Sequence, residues 1–413
     1  MRIKLIFSQE GAKFGVNKVV NMRNKIASPV NILQRDTNSM KLSTENAVCY
    51  HYDKFPPTGL DYSKFITSII NATAALSRYD QMLKNMHNSE ILLAPLRNQE
   101  AVISSRMEGT VSTMDEILKY EADYEDNDTA ERLNVRSEVI ETILYQRALR
   151  GAQKALGDGY PLSQSLIKRV HQTLLSFGRG AAKSPGEFKT EQNYLADRGK
   201  KEILFVPISP EKLQDGLDVL FQYMENSKDP DLIKAALTHI EFEALHPFKD
   251  GNGRIGRMLI TLMLWRSGTI TAPHFYISGY FEENKDLYID TMRRVSEEGC
   301  WEEWCKFFLE AVEHQAIRNL EVAENIKSLY EEMKLIFSEV LSSKWSLVAL
   351  DFVFTYPVFR NNKFTSVSGI PPATAARFTR ALLDNDIIKI LEESSGRRPA
   401  LYSFEPLLKL VRV

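Results

Sequence analysis

One stretch of twelve residues, HPFKDGNGRIGR from His246 to Arg257, holds most of the residue types that could do chemistry. Two glycines around Asn252 make a loop whose backbone amides can converge on an anion. The loop opens a helix, and the N-terminus of a helix favours a phosphate. Arg254 and Arg257 are three residues apart and therefore share a face of that helix. The pattern predicts a binding site for a polyphosphate.

The same stretch contains an acid and a base. Asp250 is the carboxylate within the loop, and a carboxylate beside a polyphosphate is a common way to hold Mg²⁺, with Mn²⁺ as an alternative. His246 ends the preceding predicted helix and can accept a proton near neutral pH. The stretch has neither a Walker lysine nor a kinase catalytic loop. It therefore combines a base, a metal ligand and a phosphate cradle in an arrangement of its own.

These residues resemble the signature of the Fic family, HxFx(D/E)GNGRxxR, at every defined position. Upstream, residues 186–193 (GEFKTEQN) resemble the flap of that family, and residues 280–288 resemble a later family segment. The resemblance extends over residues 50 to 341. One departure is Lys189, where the family often has arginine, which keeps the charge but weakens any bidentate contact.

Fic proteins typically transfer AMP from ATP, their co-substrate, to a hydroxyl of a target protein. The resemblance implies that His246 is the base and that Asp250 ligates Mg²⁺ on the α- and β-phosphates. It also implies that Arg254 holds the β-phosphate and Arg257 the γ-phosphate, while Phe248 anchors the loop. The other positions expected to bind ATP are Gly251, Asn252 and Gly253 in the anion hole, Ile255, Gly256, Tyr288 near the adenine, and Asn193 through its backbone in the flap.

A second segment, SSRMEG from Ser104 to Gly109, resembles the inhibitory motif of the family, (S/T)xxxE(G/N). The resemblance implies that Glu108 reaches Arg257 and forms an ion pair where the γ-phosphate should bind. ATP would then lose a charge-assisted partner and could not align for attack. Because the motif lies N-terminal to the signature, the inhibitory helix is expected in the same chain.

The elements that must position these residues are mainly helical. We expect residues 1–45 to form a basic, poorly ordered leader. Residues 46–130 are predicted to be an N-terminal helical region that contains the inhibitory helix, and residues 131–341 the Fic catalytic core. An acidic loop is expected at 121–131, and a short hairpin of 192–195 with 203–207. Core helices are expected at 132–156, 162–175, 229–246 with Asp229 as its N-cap, 254–265, 283–298 and 302–341.

Residues 342–413 differ, because helices are followed by two strands around a basic tip, the pattern of a small C-terminal winged helix-turn-helix domain. Four arginines could contact DNA phosphates: Arg377, Arg380, Arg397 and Arg398. Winged helices also serve in protein docking and dimerisation, so DNA binding and a homodimer both stay open.

Composition limits the classes of function. The 413 residues carry a net charge of −2, so no global field draws the chain to nucleic acid or membranes. Three cysteines exclude a disulfide framework and favour a reducing, cytoplasmic location. The longest apolar run, residues 258–265, is too short to span a bilayer, and the start does not resemble a signal peptide.

The leading hypothesis is therefore an Mg²⁺-dependent protein adenylyltransferase that modifies a target protein or itself and is held off by Glu108. A variant of it would also remove AMP, with Glu108 orienting water. The alternatives are a nucleotide-sensing winged-helix regulator without turnover and the transfer of a different phosphorylated group. An intact His246 disfavours the sensor, since a sensor needs no base.

Overall fold

The computed structural model describes residues 31–33, 46–86, 89–124, 135–196, 202–396 and 398–412, and most of them are helical. Of the leader expected at 1–45, the described part is Asn31–Leu33, which forms a strand, β1. The rest of that expectation lies outside the described residues. In the part of the chain that the structure describes, no helix combines the length and apolarity needed to cross a membrane.

Four helices form the N-terminal region: α1 (Ile66–Lys84), α2 (Ser89–Met107), α3 (Met114–Asp123) and α4 (Ser137–Gly157). Helix α2 ends just before Gly109, whose φ of 84° is the left-handed conformation that glycine adopts at helix ends. Helix α3 begins with a capping box, in which Thr113 and Glu116 satisfy each other's backbone amides. The start of the expected acidic loop is wrong, because Glu121 belongs to α3; residues 125–131 lie outside the described ranges.

The core contains α5 (Gln164–Leu174), α6 (Pro210–Asn226), α7 (Asp231–Leu245), α8 (Asn252–Arg266), α9 (Ser278–Glu283), α10 (Lys285–Glu298) and α11 (Trp301–Leu341). Helix α8 is buried from Asn252 to Leu264, so the helix that follows the signature loop runs through the interior. The N-cap expected at Asp229 is wrong. Its carboxylate instead accepts hydrogen bonds from Tyr62 and Tyr223, and α7 begins after Pro230.

A small sheet covers one side of the signature loop. Strands β3 (Tyr194–Ala196) and β4 (Ile203–Val206) form the expected antiparallel hairpin, one or two residues later than predicted on its first strand. The full order is β1-β3-β4-β2, in which β2 (Val48–Cys49) lies parallel to β4. Strands β1 and β2, from the beginning of the chain, thus pair with the two outer edges of the flap hairpin.

The C-terminal domain comprises α12 (Ser346–Thr355), β5 (Val358–Arg360), α13 (Asn361–Val367), α14 (Pro372–Asp384), β6 (Lys389–Glu392), β7 (Leu401–Ser403) and α15 (Glu405–Val411). The three strands form an antiparallel sheet in the order β5-β7-β6. Strand β5 and helix α15 were not expected from the sequence. The assignment to the winged helix-turn-helix class stays a prediction.

Helix α3 fastens this domain to the rest of the molecule. Arg360, 4% exposed, donates from Nε to Oδ1 of Asp123 at 2.6 Å and from Nη2 to Oε2 of Glu392 at 2.6 Å. Arg398 donates to Oδ2 of the same aspartate at 2.7 Å. Arg398, expected at a DNA surface, is therefore engaged within the protein, and Arg397 lies outside the described residues. A role in DNA binding stays a prediction.

Candidate active site

The signature loop is held in shape by its own asparagine. Helix α7 is followed by its C-cap His246, which adopts a left-handed φ of 46°, and Gly251, with φ 79°, is the N-cap of α8. Between them, Oδ1 of Asn252 accepts from the amide of Phe248 at 2.9 Å, and its Nδ2 donates to the carbonyl of Phe248 at 2.8 Å. The side chain of Asn252 thus closes the loop, which leaves the backbone amides at the start of α8 to face an anion.

Two flap residues support the loop from the outside. Asn193 donates from Nδ2 to the carbonyls of His246 and Phe248 at 3.0 and 3.1 Å. Lys189 donates from Nζ to Oδ1 of Asn193 at 2.8 Å and to the carbonyl of Leu245 at 3.0 Å. Burial lowers the pKa of Lys189 to about 7. Asn193 was expected to act through its backbone, but here its side chain connects the flap to the loop.

His171 completes the support, and sequence reasoning missed it. Its ring stacks on Phe248 with centroids 3.7 Å apart. Its Nδ1 accepts from the amide of Gly186 at 2.8 Å, so Nε2 carries the proton and donates to the carbonyl of Asp250 at 3.0 Å. Burial, with a smaller contribution from Arg254, lowers the pKa of His171 to about 4. A neutral histidine in one tautomer therefore fixes the loop from beneath.

His246 is arranged as a base. Its Nδ1 lies 3.3 Å from the carbonyl oxygen of Glu243, which can only accept, so Nδ1 carries the proton. Nε2 is left with a lone pair and has no partner among the described residues. Burial and the charge of Lys189 lower the pKa of His246 to about 3. The ring is therefore neutral at physiological pH and can accept a proton at Nε2.

Arg254 offers unpaired hydrogen-bond donors at the start of α8. It is 4% exposed, and its Nε and Nη1 have no partner in the described part of the chain. Its Nη2 lies 3.4 Å from Oδ1 of Asp250, which also accepts from the amide of Gly251 at 2.6 Å. A buried donor without a partner is rare in folded proteins and marks a place for an anionic ligand.

Asp250 fits a magnesium ion of a particular kind. Its side chain is 34% exposed and borders a cleft beside Arg254 and Lys249. No group of three or more ligating side chains occurs among the described residues. One carboxylate suits Mg²⁺, which keeps several waters and takes its other ligands from substrate phosphates. The chain alone therefore offers no closed metal site, but it fits a metal that arrives with a polyphosphate.

Arg257 is occupied by the segment that resembles an inhibitory motif. Its Nε donates to Oγ of Ser104 at 2.8 Å, and its Nη2 donates to the carbonyl of Ser104 at 2.9 Å. Nη2 also donates to Oε1 of Glu108 at 2.8 Å. Burial would raise the pKa of Glu108, but the charges of Arg257, Arg254 and Lys285 outweigh it and lower that pKa. The pair is thus ionised at neutral pH.

Glu108 also lies over the start of α8. A Cβ added at Gly253 would overlap Oε1 of Glu108 and would come within 2.9 Å of Nη1 of Arg257. A carboxylate therefore sits where the helix N-terminus favours negative charge. The expected contact between Glu108 and Arg257 is present in the structure, together with a contact to the anion cradle that the sequence did not indicate.

Further contacts hold the inhibitory segment in place. Arg106 forms a bidentate ion pair with Glu282, at 2.6 and 2.7 Å. Thr110 donates to Oε2 of Glu141 at 3.0 Å, and Glu141 also pairs with Arg179. Glu282 belongs to α9, Glu141 to α4 and Arg179 to the turn after α5. Their sequence positions do not indicate that they support the segment around Glu108.

The other positions predicted to bind ATP, Ile255, Gly256 and Tyr288, lie in the protein interior. Ile255 is 1% exposed and belongs to the core, and a Cβ at Gly256 would overlap the carboxylate of Glu243. Tyr288 is 4% exposed, and its hydroxyl lies 2.8 Å from Nε2 of His239. A contact of Tyr288 with adenine stays a prediction, because the structure places the ring among aromatic side chains of the core.

Comparison with known proteins identifies the family of the chain. Family models match residues 66–154 (Fic/DOC family N-terminal) and residues 161–264 (Fic/DOC family). A Fido domain-containing protein of Dictyostelium discoideum is 36% identical over 117 residues, which are 28% of this chain and 74% of that protein. The chain belongs to the Fic/DOC family. The expected family membership is thus confirmed.

Several Fic relatives are named adenylyltransferases. A protein adenylyltransferase Fic of Nematostella vectensis is 31% identical over 106 residues, 25% of this chain and 22% of that protein. A probable protein adenylyltransferase of Aquifex aeolicus is 30% identical over 94 residues, 22% of this chain and 27% of that protein. The matches thus span about a quarter of these curated relatives, and they support a transferase role at the level of the family.

Solved Fic structures share the fold. A Fic family protein from Desulfovibrio desulfuricans aligns with a TM-score of 0.52 at 17% identity, over 84% of this chain and 98% of that chain. A Fic domain-containing signaling protein from Bacteroides thetaiotaomicron aligns with a TM-score of 0.50 at 19% identity, over 62% of this chain and 97% of that chain. At these identities the likeness shows the fold, and the predicted helical Fic core with its flap is confirmed.

Proposed function

We propose that this Fic protein is a protein adenylyltransferase, which transfers AMP from ATP to a hydroxyl side chain of a target protein or of itself. The state of His246 carries the proposal. Its Nδ1 proton is held by a backbone carbonyl, and its Nε2 lone pair has no partner among the described residues. A protein that only sensed nucleotide would not need a neutral base fixed in this tautomer.

The triphosphate would bind at the start of α8. The backbone amides after Gly251 and the unpaired donors of Arg254 would contact the β-phosphate, and Arg257 would contact the γ-phosphate. Asp250 would hold Mg²⁺, or Mn²⁺ in its place, together with phosphate oxygens. The ion, when bound, would neutralise part of the negative charge of the triphosphate.

His246 would then act on the nucleophile. Its Nε2 takes the proton of the target hydroxyl as the hydroxyl oxygen forms a bond to the α-phosphorus. The bond between the α-phosphorus and the bridging oxygen breaks, and pyrophosphate leaves with the electron pair. The protein's main contribution is position, because an in-line arrangement at short distance removes much of the entropic barrier.

The nucleoside would lie beneath the flap. A mainly apolar cleft there is lined by Leu195 and Phe205 of the hairpin, by Ile240 and Glu243 of α7, and by Met292 of α10. Its volume of about 70 Å³ is below the ~300 Å³ of typical small-ligand sites, so the cleft would have to widen to hold a nucleoside. The cleft borders α7, and His246 follows the end of that helix.

Glu108 would restrain the reaction. Its carboxylate occupies Nη2 of Arg257, which is expected to contact the γ-phosphate, and it also covers Gly253 of the expected anion hole. ATP that enters a site in this state lacks one charge-assisted partner and binds with its α-phosphate out of line. The chain would therefore be autoinhibited.

Intact mass spectrometry after incubation with Mg²⁺ and ATP tests the proposal. A mass gain of one AMP moiety on this chain or on an added substrate protein supports it, provided that His246→Ala shows none. Nucleotide binding without any mass gain, in wild type and in Glu108→Gly, would identify a sensor instead. A gain of another mass, or a preference for GTP, CTP or UTP, would indicate the transfer of a different group. Loss of AMP from the purified modified protein, dependent on Glu108, would add de-AMPylation.

A further inference from the structure

A second cavity lies apart from the signature loop, where α2, α3 and α4 meet the C-terminal domain. Its volume is about 370 Å³, within the ~300–1,000 Å³ usual for small-molecule sites. None of the signature residues His246–Arg257 lines it. It is therefore a separate site, and it is formed only when the C-terminal domain is docked on α3.

The cavity is positively charged. Three cationic side chains from three different helices line it: Arg97 of α2, Arg150 of α4, and Lys363 of α13 in the C-terminal domain. Glu121 is the one acid among the described lining residues, so the walls carry a net charge of +2. Lys363 donates to the backbone carbonyl of Glu121 at 2.6 Å, which aims its ammonium group at this place. Cations gathered from three elements favour an anionic ligand such as a phosphate.

The inner wall contains a buried acceptor, the side-chain oxygen of Gln146, that has no hydrogen-bond donor among the described residues. Gln146 is 2% exposed, and its Nε2 donates to Oδ1 of Asn98 at 2.7 Å. Its Oε1 is buried, and no described residue donates to it. A buried carbonyl without a donor is unfavourable, and a ligand N–H group could supply the missing hydrogen bond. Tyr120, Tyr124 and Tyr356 add aromatic surface beside it.

We propose that this cavity is an effector site for a small phosphorylated ligand with a planar, amine-bearing base, the chemistry of a mononucleotide. Arg97, Arg150 and Lys363 would bind the phosphate, Gln146 Oε1 would accept from the amine, and the tyrosines would pack on the ring. Neither the signature loop nor the flap takes part. The ligand would bridge the helical region and the C-terminal domain.

The position of the site links it to the proposed inhibition. Helix α2 carries Arg97 and Asn98 in the cavity wall and, about two turns later, Ser104, which holds Arg257. A ligand that bridges α2 to α3, α4 and the C-terminal domain stabilises the arrangement in which Glu108 covers Gly253. Binding should therefore lower AMP transfer. This consequence rests on the proposed function, whereas the binding itself does not.

Calorimetric titration of the full chain with AMP tests the site, with ribose 5-phosphate and adenosine as fragments. All proteins carry Arg254→Ala, which removes a phosphate ligand from the signature loop. We expect AMP to bind more tightly than either fragment. Arg97→Gln/Arg150→Gln should weaken AMP by about tenfold or more, since each charged contact contributes appreciably. Arg380→Gln removes one positive charge from an exposed position outside the cavity and should bind AMP unchanged.

Two outcomes would overturn the site: no AMP binding at millimolar concentration, or equal binding by the double variant with its unliganded melting temperature preserved. Gln146→Met, which keeps the volume, should weaken AMP but not ribose 5-phosphate, and an equal effect on both would refute the assigned base contact. Inhibition of transfer by AMP is measured in proteins that keep Arg254, and it should be lost in the cavity variant and kept in Arg380→Gln. If no transfer occurs at all, the proposed function fails, and the titration still decides the site.

Discussion

Replacing Glu108 with glycine should raise the rate of AMP transfer. The change removes the carboxylate that occupies Nη2 of Arg257 and covers Gly253. Arg257 keeps both of its hydrogen bonds to Ser104 and so stays in place. Because Glu108 follows the end of α2, a glycine there does not interrupt the helix. The variant therefore frees a phosphate ligand without adding any catalytic group.

The size of the effect follows from the contact that is lost. The pair joins a nearly buried guanidinium, with 2% of its side chain exposed, to a carboxylate with 29% exposed, at 2.8 Å. A charge-assisted hydrogen bond of this kind contributes about 1.5–3 kcal/mol. If that amount is returned to the aligned complex, the rate rises roughly tenfold to a hundredfold. Glu108→Gln, which keeps the shape and removes the charge, should give an intermediate increase.

Self-modification with ATP labelled at the α-phosphate measures this directly. Wild type, Glu108→Gly and Glu108→Gly/His246→Ala should be compared at saturating ATP, where turnover is separated from affinity. The double variant should be inactive. Arg257→Ala should not reproduce the gain, because it removes the phosphate ligand together with its inhibitor. If Glu108→Gly is no faster than wild type, the contact with Arg257 is only structural and the inhibitory reasoning is refuted.

Two other predictions concern the same loop, and a third concerns three buried histidines. His246→Ala should abolish transfer and leave ATP affinity, measured by calorimetry, nearly unchanged; retained transfer would remove His246 from the mechanism. Asp250→Asn preserves an acceptor for the amide of Gly251 and should lose the Mg²⁺-dependent part of ATP binding, so identical titrations with and without metal in wild type would contradict the metal site. The folded-state pKa values of His171, His239 and His246 lie at about 4, 3 and 3, below the ordinary 6.5, chiefly because of burial. The contribution of these histidines to stability is therefore fully present above pH ~6.5 and is lost as the pH falls from there to about 3, which urea unfolding at a series of pH values would detect.

The signature could be interpreted from sequence because its chemistry is contiguous. His246, Asp250, Arg254 and Arg257 lie within one loop and the first turns of one helix, so local geometry alone brings them together. The contact between Glu108 and Arg257, which joins residues 149 positions apart, was reached only through resemblance to a family. Neither helix propensity nor hydrophobic periodicity can relate two residues so far apart in the sequence.

Support from distant segments could not be predicted in the same way. His171 looked like one residue on the buried face of an amphipathic helix, and only the fold places it against Phe248 and Gly186. Helix α6 was missed although Pro210 marks its start. Asp229 does not cap α7 because its carboxylate accepts hydrogen bonds from the hydroxyls of Tyr62 and Tyr223 instead. For His171 and Asp229, side-chain contacts within the fold decided the outcome.

The two arginines of the signature differ in a way that bears on how the enzyme would be restrained. Arg257 is paired with Glu108, whereas Arg254, one turn earlier, keeps two buried donors without a partner among the described residues. Arg254 has a long ion pair with Asp250 at 3.4 Å, but its Nε and Nη1 have no partner among the described residues. The nucleotide therefore still finds donors for one phosphate, whereas at Arg257 it must compete with the carboxylate of Glu108. The proposed inhibition should therefore act on the alignment of ATP more than on its admission, and so on turnover more than on affinity.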